Sequence, residues 1–186
     1  MRREQTGAVS SPANSTPVWL LDVDGVLNAL QPGWDSPAQQ GVAVAYGTAF
    51  RLRWAPALVD RIARLHRSGS VEVRWATTWV DEIDQVERLL RLPRFPTAFT
   101  GLGAAPSVQA TGRKWAAALE VVEEERRPLL WTDDDAIPAW EDGVQRLGAT
   151  GLPVMLVAPD PRTGLQPEHL AAIEAFLADP WAADGG

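Results

Sequence analysis

Short apolar runs spaced through the chain constrain its fold more than any other feature. Val18-Trp-Leu-Leu-Asp-Val23, Val71–Trp75, Leu129-Leu-Trp131 and Val154–Val157 read as buried strands of a parallel sheet, whose strands are apolar on both faces. Helical patterns lie between and after them. Pro56 opens one carrying Leu58, Val59, Ile62, Ala63 and Leu65 on one face and stopping at Gly69. Others run from Val80 to Arg91, from Arg113 to Arg127, from near Pro138 to Gly148, and from Pro167 to about Leu177. This alternation predicts an α/β domain, a parallel sheet with helices on both faces.

The remaining segments fill in the outline. Residues 28–40 have the Pro, Gly, Gln and Ser content of a loop. From Gly41 to Trp54, apolar residues alternate at period two on either side of Gly47-Thr48, which predicts a small β-hairpin flap. Thr97–Thr100 reads as a further short strand, and Gly101–Gly112 as a loop. With 186 residues, 46% hydrophobic and 22% charged, the chain suits one ordinary domain. The expected boundaries are a disordered lead-in over 1–16, a catalytic domain over 17–178 and a flexible tail over 179–186. The lead-in lacks the apolar segment of a signal peptide, and no apolar run approaches the roughly 20 residues that span a bilayer. With no cysteine there is no disulfide framework, thiolate nucleophile or Cys-based metal site, and the cytoplasm is the expected compartment.

A formal charge of -7 and a pI near 4.8 argue against non-specific binding to nucleic acid or to an anionic membrane. Two local arginine clusters stand out, Arg51 with Arg53 and Arg88 with Arg91 and Arg94; a solvated strand or helix face is the simpler account of both. Lys114 is the only lysine among 17 Lys and Arg residues. A chain that uses arginine for general positive charge keeps a compact ammonium at one position, which points to a specific task there.

In doubly wound folds chemistry collects at the carboxyl ends of the strands. Asp22, Asp24, Thr77, Thr78, Asp133 and Asp134 all fall just past predicted strand ends, from three different strands. Moving a phosphoryl group calls for this set. A carboxylate nucleophile has to approach a negatively charged group, so catalysis is mostly positioning and charge neutralisation, with a divalent cation such as Mg²⁺ between the partners. One of the pair Asp22/Asp24 would attack, and the other would pass a proton to the leaving group and take one from water. Gly25 permits a tight turn, a hydroxyl of Thr77 or Thr78 would bind a phosphoryl oxygen, Lys114 would neutralise charge, and Asp133 or Asp134 would complete the metal site. Each piece also has an ordinary account: D-x-D-G is a common turn, and the Asp133–Asp135 run suits a helix cap, the role expected of Asp135.

Leu21-Asp-Val-Asp-Gly-Val-Leu-Asn28 resembles the first motif of the haloacid dehalogenase (HAD) superfamily of phosphohydrolases; Thr77, Lys114 and Asp133-Asp134 resemble its second, third and fourth. The resemblance implies a Rossmann-like core, with Asp22 as the phosphorylated nucleophile and Asp24 as acid/base that also binds metal through its backbone carbonyl. It makes Asp133 the carboxylate on Mg²⁺, with Asp134 its helper, and Thr77 the preferred phosphate-binding hydroxyl. Val26-Leu27-Asn28, Trp75-Ala-Thr-Thr-Trp79, Trp131-Thr-Asp-Asp-Asp135 and Pro161-Arg-Thr-Gly-Leu165 are similar to a bacterial HAD subgroup related to domains in RNA-repair proteins. The insertions after the first and second motifs are too short for a full cap domain. An open site suits a bulky phosphorylated substrate such as a nucleic-acid end, although the acidic charge argues against that partner. Trp34, Trp54 and Trp79 are candidates to stack on a base or sugar, Trp54 fitting core packing better. His66 and His169 lie in helices away from strand ends and read as surface residues. A phosphotransferase, or a regulatory module that binds phosphate and Mg²⁺ without turnover, would use the same groups.

Overall fold

The computed structural model describes residues 16–102, 106–138 and 141–182. Most of the expected lead-in (1–15) and the end of the expected tail (183–186) lie outside the described residues. Four parallel strands form one sheet: β1 (Val18–Leu21), β4 (Glu72–Trp75), β5 (Leu129–Thr132) and β6 (Val154–Val157), in the order β4-β1-β5-β6. An antiparallel pair, β2 (Gln39–Ala45) and β3 (Thr48–Trp54), forms the hairpin. The helices are α1 (Pro56–Arg67), α2 (Ile83–Leu90), α3 (Pro106–Leu119), α4 (Glu141–Gly148) and α5 (Pro167–Ala178).

β1 and β5 are buried throughout because helices cover both faces of the sheet, whereas Val154, Met155 and Leu156 of the edge strand β6, expected to be buried, are half-buried. Successive side chains of a strand point to opposite faces. Trp19 and Leu21 of β1 share one core with Leu58, Val59 and Ile62 of α1, Val86 and Leu90 of α2, and Leu170, Ile173 and Leu177 of α5. Val18 and Leu20 share the other with Ala117 and Ala118 of α3 and Leu147 of α4. From β1 the chain moves outward to β4, then returns past β1 to β5 and on to β6. That reversal at β1 is the topological switch point, where doubly wound sheets open a crevice at their carboxyl edge. Arg74 and Arg127 meet Glu72 and Glu125 in one ion-pair network that ties β4 to the turn before β5.

Several boundaries differ from the sequence reading. Thr97 makes a single parallel bridge to Trp75, and no strand forms over 97–100. Most of the expected loop 101–112 is helix, since α3 starts at Pro106 and contains Gly112. Ala110, Lys114, Ala117 and Ala118 are all buried along it, at the i, i+4, i+7, i+8 spacing of one helix face. A π-helical turn, Glu120–Glu124, then buries both Val121 and Val122. The helix expected from Val80 begins at Ile83, after a turn. Among the described residues, the insertion after β1 amounts to a loop and the hairpin, with no separate cap domain. No helix among them is long and apolar enough to cross a membrane.

Candidate active site

Strand register sets the site. Leu21 stands level with Trp75 on one side and Thr132 on the other, and Thr132 is level with Val157. The residues just beyond are therefore level too. The amide of Asp22 donates to the Thr132 carbonyl (3.2 Å), that of Ala76 to Leu21 (2.9 Å) and that of Asp133 to Val157 (3.1 Å). Backbone pairing thus carries past the last strand residues and fixes where the first side chains of each loop emerge.

Four of the expected site residues meet there. Lys114 Nζ lies 2.6 Å from Asp22 Oδ2 and 2.7 Å from Asp133 Oδ2. Asp22, Asp133 and Lys114 are 5%, 0% and 3% exposed, so these are charges withdrawn from water. Asp22, Asp133 and Asp134 each present a carboxylate oxygen within 4.8 Å of the others. Asp22 Oδ1 accepts the Val23 amide (2.6 Å), and Asp133 Oδ1 accepts the amides of Asp135 (3.2 Å) and Ala136 (2.8 Å). Asp133 thus closes the local turn, whereas Asp135, expected as a helix cap, faces solvent.

The charges do not balance. Burial, reinforced by Asp133 and opposed by Lys114 and the Thr77 hydroxyl, pushes the Asp22 carboxyl from 3.8 up to about 7. Burial, with repulsion from Asp135 and Asp133, lifts Asp134 to about 6. Burial alone would push Lys114 down, but Asp22 and Asp133 together hold its ammonium above the ordinary value. The opposing outcomes for Lys114 and Asp22 have one cause: a single ammonium is shared by two buried carboxylates, so it gains from both while each acid has half a partner. Asp133 Oδ2, 2.7 Å from Lys114 Nζ, depends on the same shared ammonium. Three converging carboxylates with one ammonium are a donor set that fits a hard divalent cation, and Mg²⁺ suits oxygen ligands of this kind. Asp22, Asp133 and Asp134 would hold it.

Gly25 makes the cluster possible. Its φ is +69°, and a Cβ there would stand 2.2 Å from Asp134 Cγ and 2.3 Å from Asp134 Oδ2. Any side chain would drive Asp134 away, so this glycine serves close approach as well as the turn.

The Asp24 side chain is exposed and stands apart from the three-carboxylate group. Its Oδ1 accepts from Asn28 Nδ2 (2.7 Å) and its Oδ2 from Trp79 Nε1 (2.8 Å). Asn28 also accepts the Arg53 amide through Oδ1 (2.8 Å), which joins the hairpin to the nucleophile loop. Thr77 is fully buried, and its hydroxyl helps to stabilise ionised Asp22. Thr78 is half-buried, and its carbonyl accepts from Tyr46 Oη (2.8 Å).

The other aromatic and histidine candidates have structural places. Trp54 is buried in the core, and Trp34 donates to the Leu165 carbonyl (2.8 Å) with Arg61 over its ring. Trp79, 3% exposed, touches the site through its ring nitrogen, not as an open stacking surface. His66 and His169 are half-buried in their helices. His66 packs edge-on against Phe95, and His169 Nδ1 accepts the Gln166 amide at the start of α5. Sequence reasoning missed Asn28 and Trp79 as the groups that orient Asp24; the available signal was the polar Asn28 four residues after it. It also missed Glu87, a buried carboxylate whose Oε1 accepts from Trp75 Nε1 (2.9 Å) and the Phe95 amide (2.8 Å).

Comparison with curated proteins gave no match. A protein-family model described as the HAD domain in Swiss Army Knife RNA repair proteins matches residues 18–170, which takes in every strand of the sheet and Asp22, Asp24, Asp133 and Asp134. On that match, and with a doubly wound sheet carrying these residues at its carboxyl edge, the chain belongs to the HAD superfamily, whose type is phosphohydrolase, in its RNA-repair-like subgroup.

Proposed function

We propose that the protein is a Mg²⁺-dependent phosphohydrolase that cleaves a phosphomonoester through a phosphorylated Asp22. The observation that carries this reading is the placement of Lys114 Nζ at 2.6 Å from Asp22 and 2.7 Å from Asp133, with Asp134 completing a group of three converging carboxylates. When bound, the cation supplies positive charge to the phosphoryl oxygens and to the carboxylates around them. In the first step an Asp22 oxygen attacks phosphorus, the ester P–O bond breaks, and Asp24 gives its proton to the departing alkoxide. In the second, water attacks phosphorus and passes a proton to Asp24, the P–O bond to Asp22 breaks, and inorganic phosphate leaves. Lys114 remains beside Asp22 throughout, where charge accumulates on the transferring group. Thr77, whose hydroxyl favours the ionised form of Asp22, would hydrogen-bond a phosphoryl oxygen. The absence of cysteine fits work in the reducing cytoplasm.

The test is turnover of 4-nitrophenyl phosphate with Mg²⁺ and with EDTA, by wild type and Asp22→Asn. Metal-dependent hydrolysis that vanishes in the folded variant is expected. Equal activity in the variant would remove Asp22 from its role. Release of 4-nitrophenol in excess of phosphate when an alcohol acceptor is present would identify a phosphotransferase.

A further inference from the structure

A cavity of about 420 Å³ opens beside the nucleophile loop, within the ordinary size of ligand sites. Gly25, Asn28, Ala29 and Leu30 line it on the loop side, Gln40, Arg51 and Arg53 on the hairpin side, and Pro161 completes it. Pairing of Gln40 with Arg53 and of Val42 with Arg51 places these residues on one face of the hairpin. The opposite face is committed to the core through Ala43, Ala45, Leu52 and Trp54.

The charge of this cavity contradicts that of the chain. Net charge is -7, yet the charged residues lining the cavity are two arginines. Among the described residues neither guanidinium has an acidic partner. Asp24, on the adjoining loop, has both carboxylate oxygens taken by Asn28 and Trp79. The Arg88 cluster differs, because Arg88 pairs with Asp84 and Glu87 shares its cavity. An arginine pair without carboxylates is a fork-shaped receptor for phosphate oxygens.

The location says which part of a substrate would reach it. Asn28 holds Asp24 with its amide nitrogen and the Arg53 backbone with its amide oxygen (2.7 and 2.8 Å), and the Ala29 amide donates to the Arg53 carbonyl (3.0 Å). The group proposed to protonate the leaving oxygen and the strand carrying both arginines are thus fixed to the same side chain. We infer that Arg51 and Arg53 form a subsite for a second phosphate on the leaving alcohol, so that the preferred substrate is a phosphomonoester whose alcohol is itself phosphorylated. Leu30, 68% exposed in the cavity lining, offers apolar surface to the organic part between the phosphates. The inference rests on the phosphohydrolase reading for which side of the site the alcohol occupies.

The test compares wild type with R51Q/R53Q on adenosine 5′-monophosphate, adenosine 3′,5′-bisphosphate and a 5′-phosphorylated adenosine dinucleotide. Wild type is expected to favour the substrates with a second phosphate. The double substitution should cut the ratio of their kcat/KM to that of the monophosphate by about 10- to 100-fold, mostly through KM. A preference for the bisphosphate alone identifies a small-molecule source, one for the dinucleotide alone a nucleic-acid end, and either supports the subsite. An unchanged ratio, or an equal fall on all three, overturns it. If wild type fails to hydrolyse 4-nitrophenyl phosphate, the phosphohydrolase reading fails by itself, and calorimetric binding then decides the subsite. Tighter binding of the bisphosphate than the monophosphate, weakened by salt and lost in R51Q/R53Q, supports it; equal binding overturns it.

Discussion

Neutralising the proposed nucleophile should stabilise the metal-free protein, and do so more strongly at higher pH. In the folded state the Asp22 carboxyl titrates near 7 against 3.8 for an unhindered group, because burial and Asp133 outweigh Lys114. Between those values the folded state binds the extra proton, so stability falls as pH rises, the reverse of an ordinary salt-bridged aspartate. The penalty is on the order of a few kcal/mol above pH 7 and smaller at pH 5. Asp22→Asn keeps the shape and remains neutral throughout. In EDTA, wild type should therefore lose about 2 to 3 kcal/mol relative to the variant between pH 5 and pH 8. Asp134, raised to about 6, adds a slope of the same sign to both proteins and cancels in the difference. Urea unfolding at both pH values measures it, and a second series in Mg²⁺ should close the gap by stabilising wild type through binding to the folded state. Parallel pH profiles for the two proteins in EDTA would refute the account of a charge-deficient site.

Gly25→Ala puts a methyl group 2.2 Å from the Asp134 carboxyl carbon at a φ of +69°. It should weaken Mg²⁺ binding by about 10- to 100-fold and cost more than about 1 kcal/mol of stability; an unaltered Mg²⁺ dependence of turnover would contradict this. Trp79→Phe keeps the ring that meets Phe50 edge-on at 5.5 Å but removes the donor to Asp24. We expect about a tenfold lower kcat with alkyl phosphates, which need a proton on the leaving group, and little change with 4-nitrophenyl phosphate; equal losses on both would show that Asp24 is not being positioned for proton transfer. Glu87→Leu strands the Trp75 indole N–H and the Phe95 amide in the core, which should cost about 2 to 5 kcal/mol in urea unfolding. A loss below about 1 kcal/mol would mean that both donors find other partners.

The parts of the fold legible in the sequence are those where a local pattern and its burial agree. Val18–Leu21 and Leu129–Thr132 are apolar throughout because helices cover both faces of those strands, and the hairpin alternates because one of its faces is open. The start of α3 was not legible. Thr111 and Gly112 disfavour helix locally, and helix forms there because Ala110 and Lys114 lie on a buried face, a tertiary reason that overrides propensity. The site shows the same division. Asp22, Lys114, Asp133 and Asp134 each stand out by residue type near a strand end, and strand register does the rest. The partners of Asp24 include Trp79, 55 residues away, through an indole that looks like core or a stacking surface until the contact is seen. Arg51 and Arg53 were visible as charge, but the facing residues that leave them without acids belong to other segments.

A hairpin beside the proposed phosphoryl-transfer site invites comparison with a mobile lid, but its bonding argues for a fixed wall. Gln85 of α2 satisfies both backbone groups of Val44, accepting its N–H at 2.9 Å and donating to its carbonyl at 2.7 Å. Tyr46 at the tip donates to Thr78, in the loop that carries Thr77. At the other end, Asn28 and Ala29 hold both backbone groups of Arg53. Between these anchors Gly41 lies so close to α2 that a Cβ would stand 2.5 Å from Leu89 Cδ1. Lifting the hairpin would break each of these contacts and expose Leu52 and Trp54, buried to 1% and 5% exposure. The hairpin therefore positions groups permanently: on its buried side it packs against the ring of Trp79 that steadies Asp24, and on its open side it presents two arginines. A site walled in this way selects substrates by the charge it holds ready, without the closure that a cap would provide.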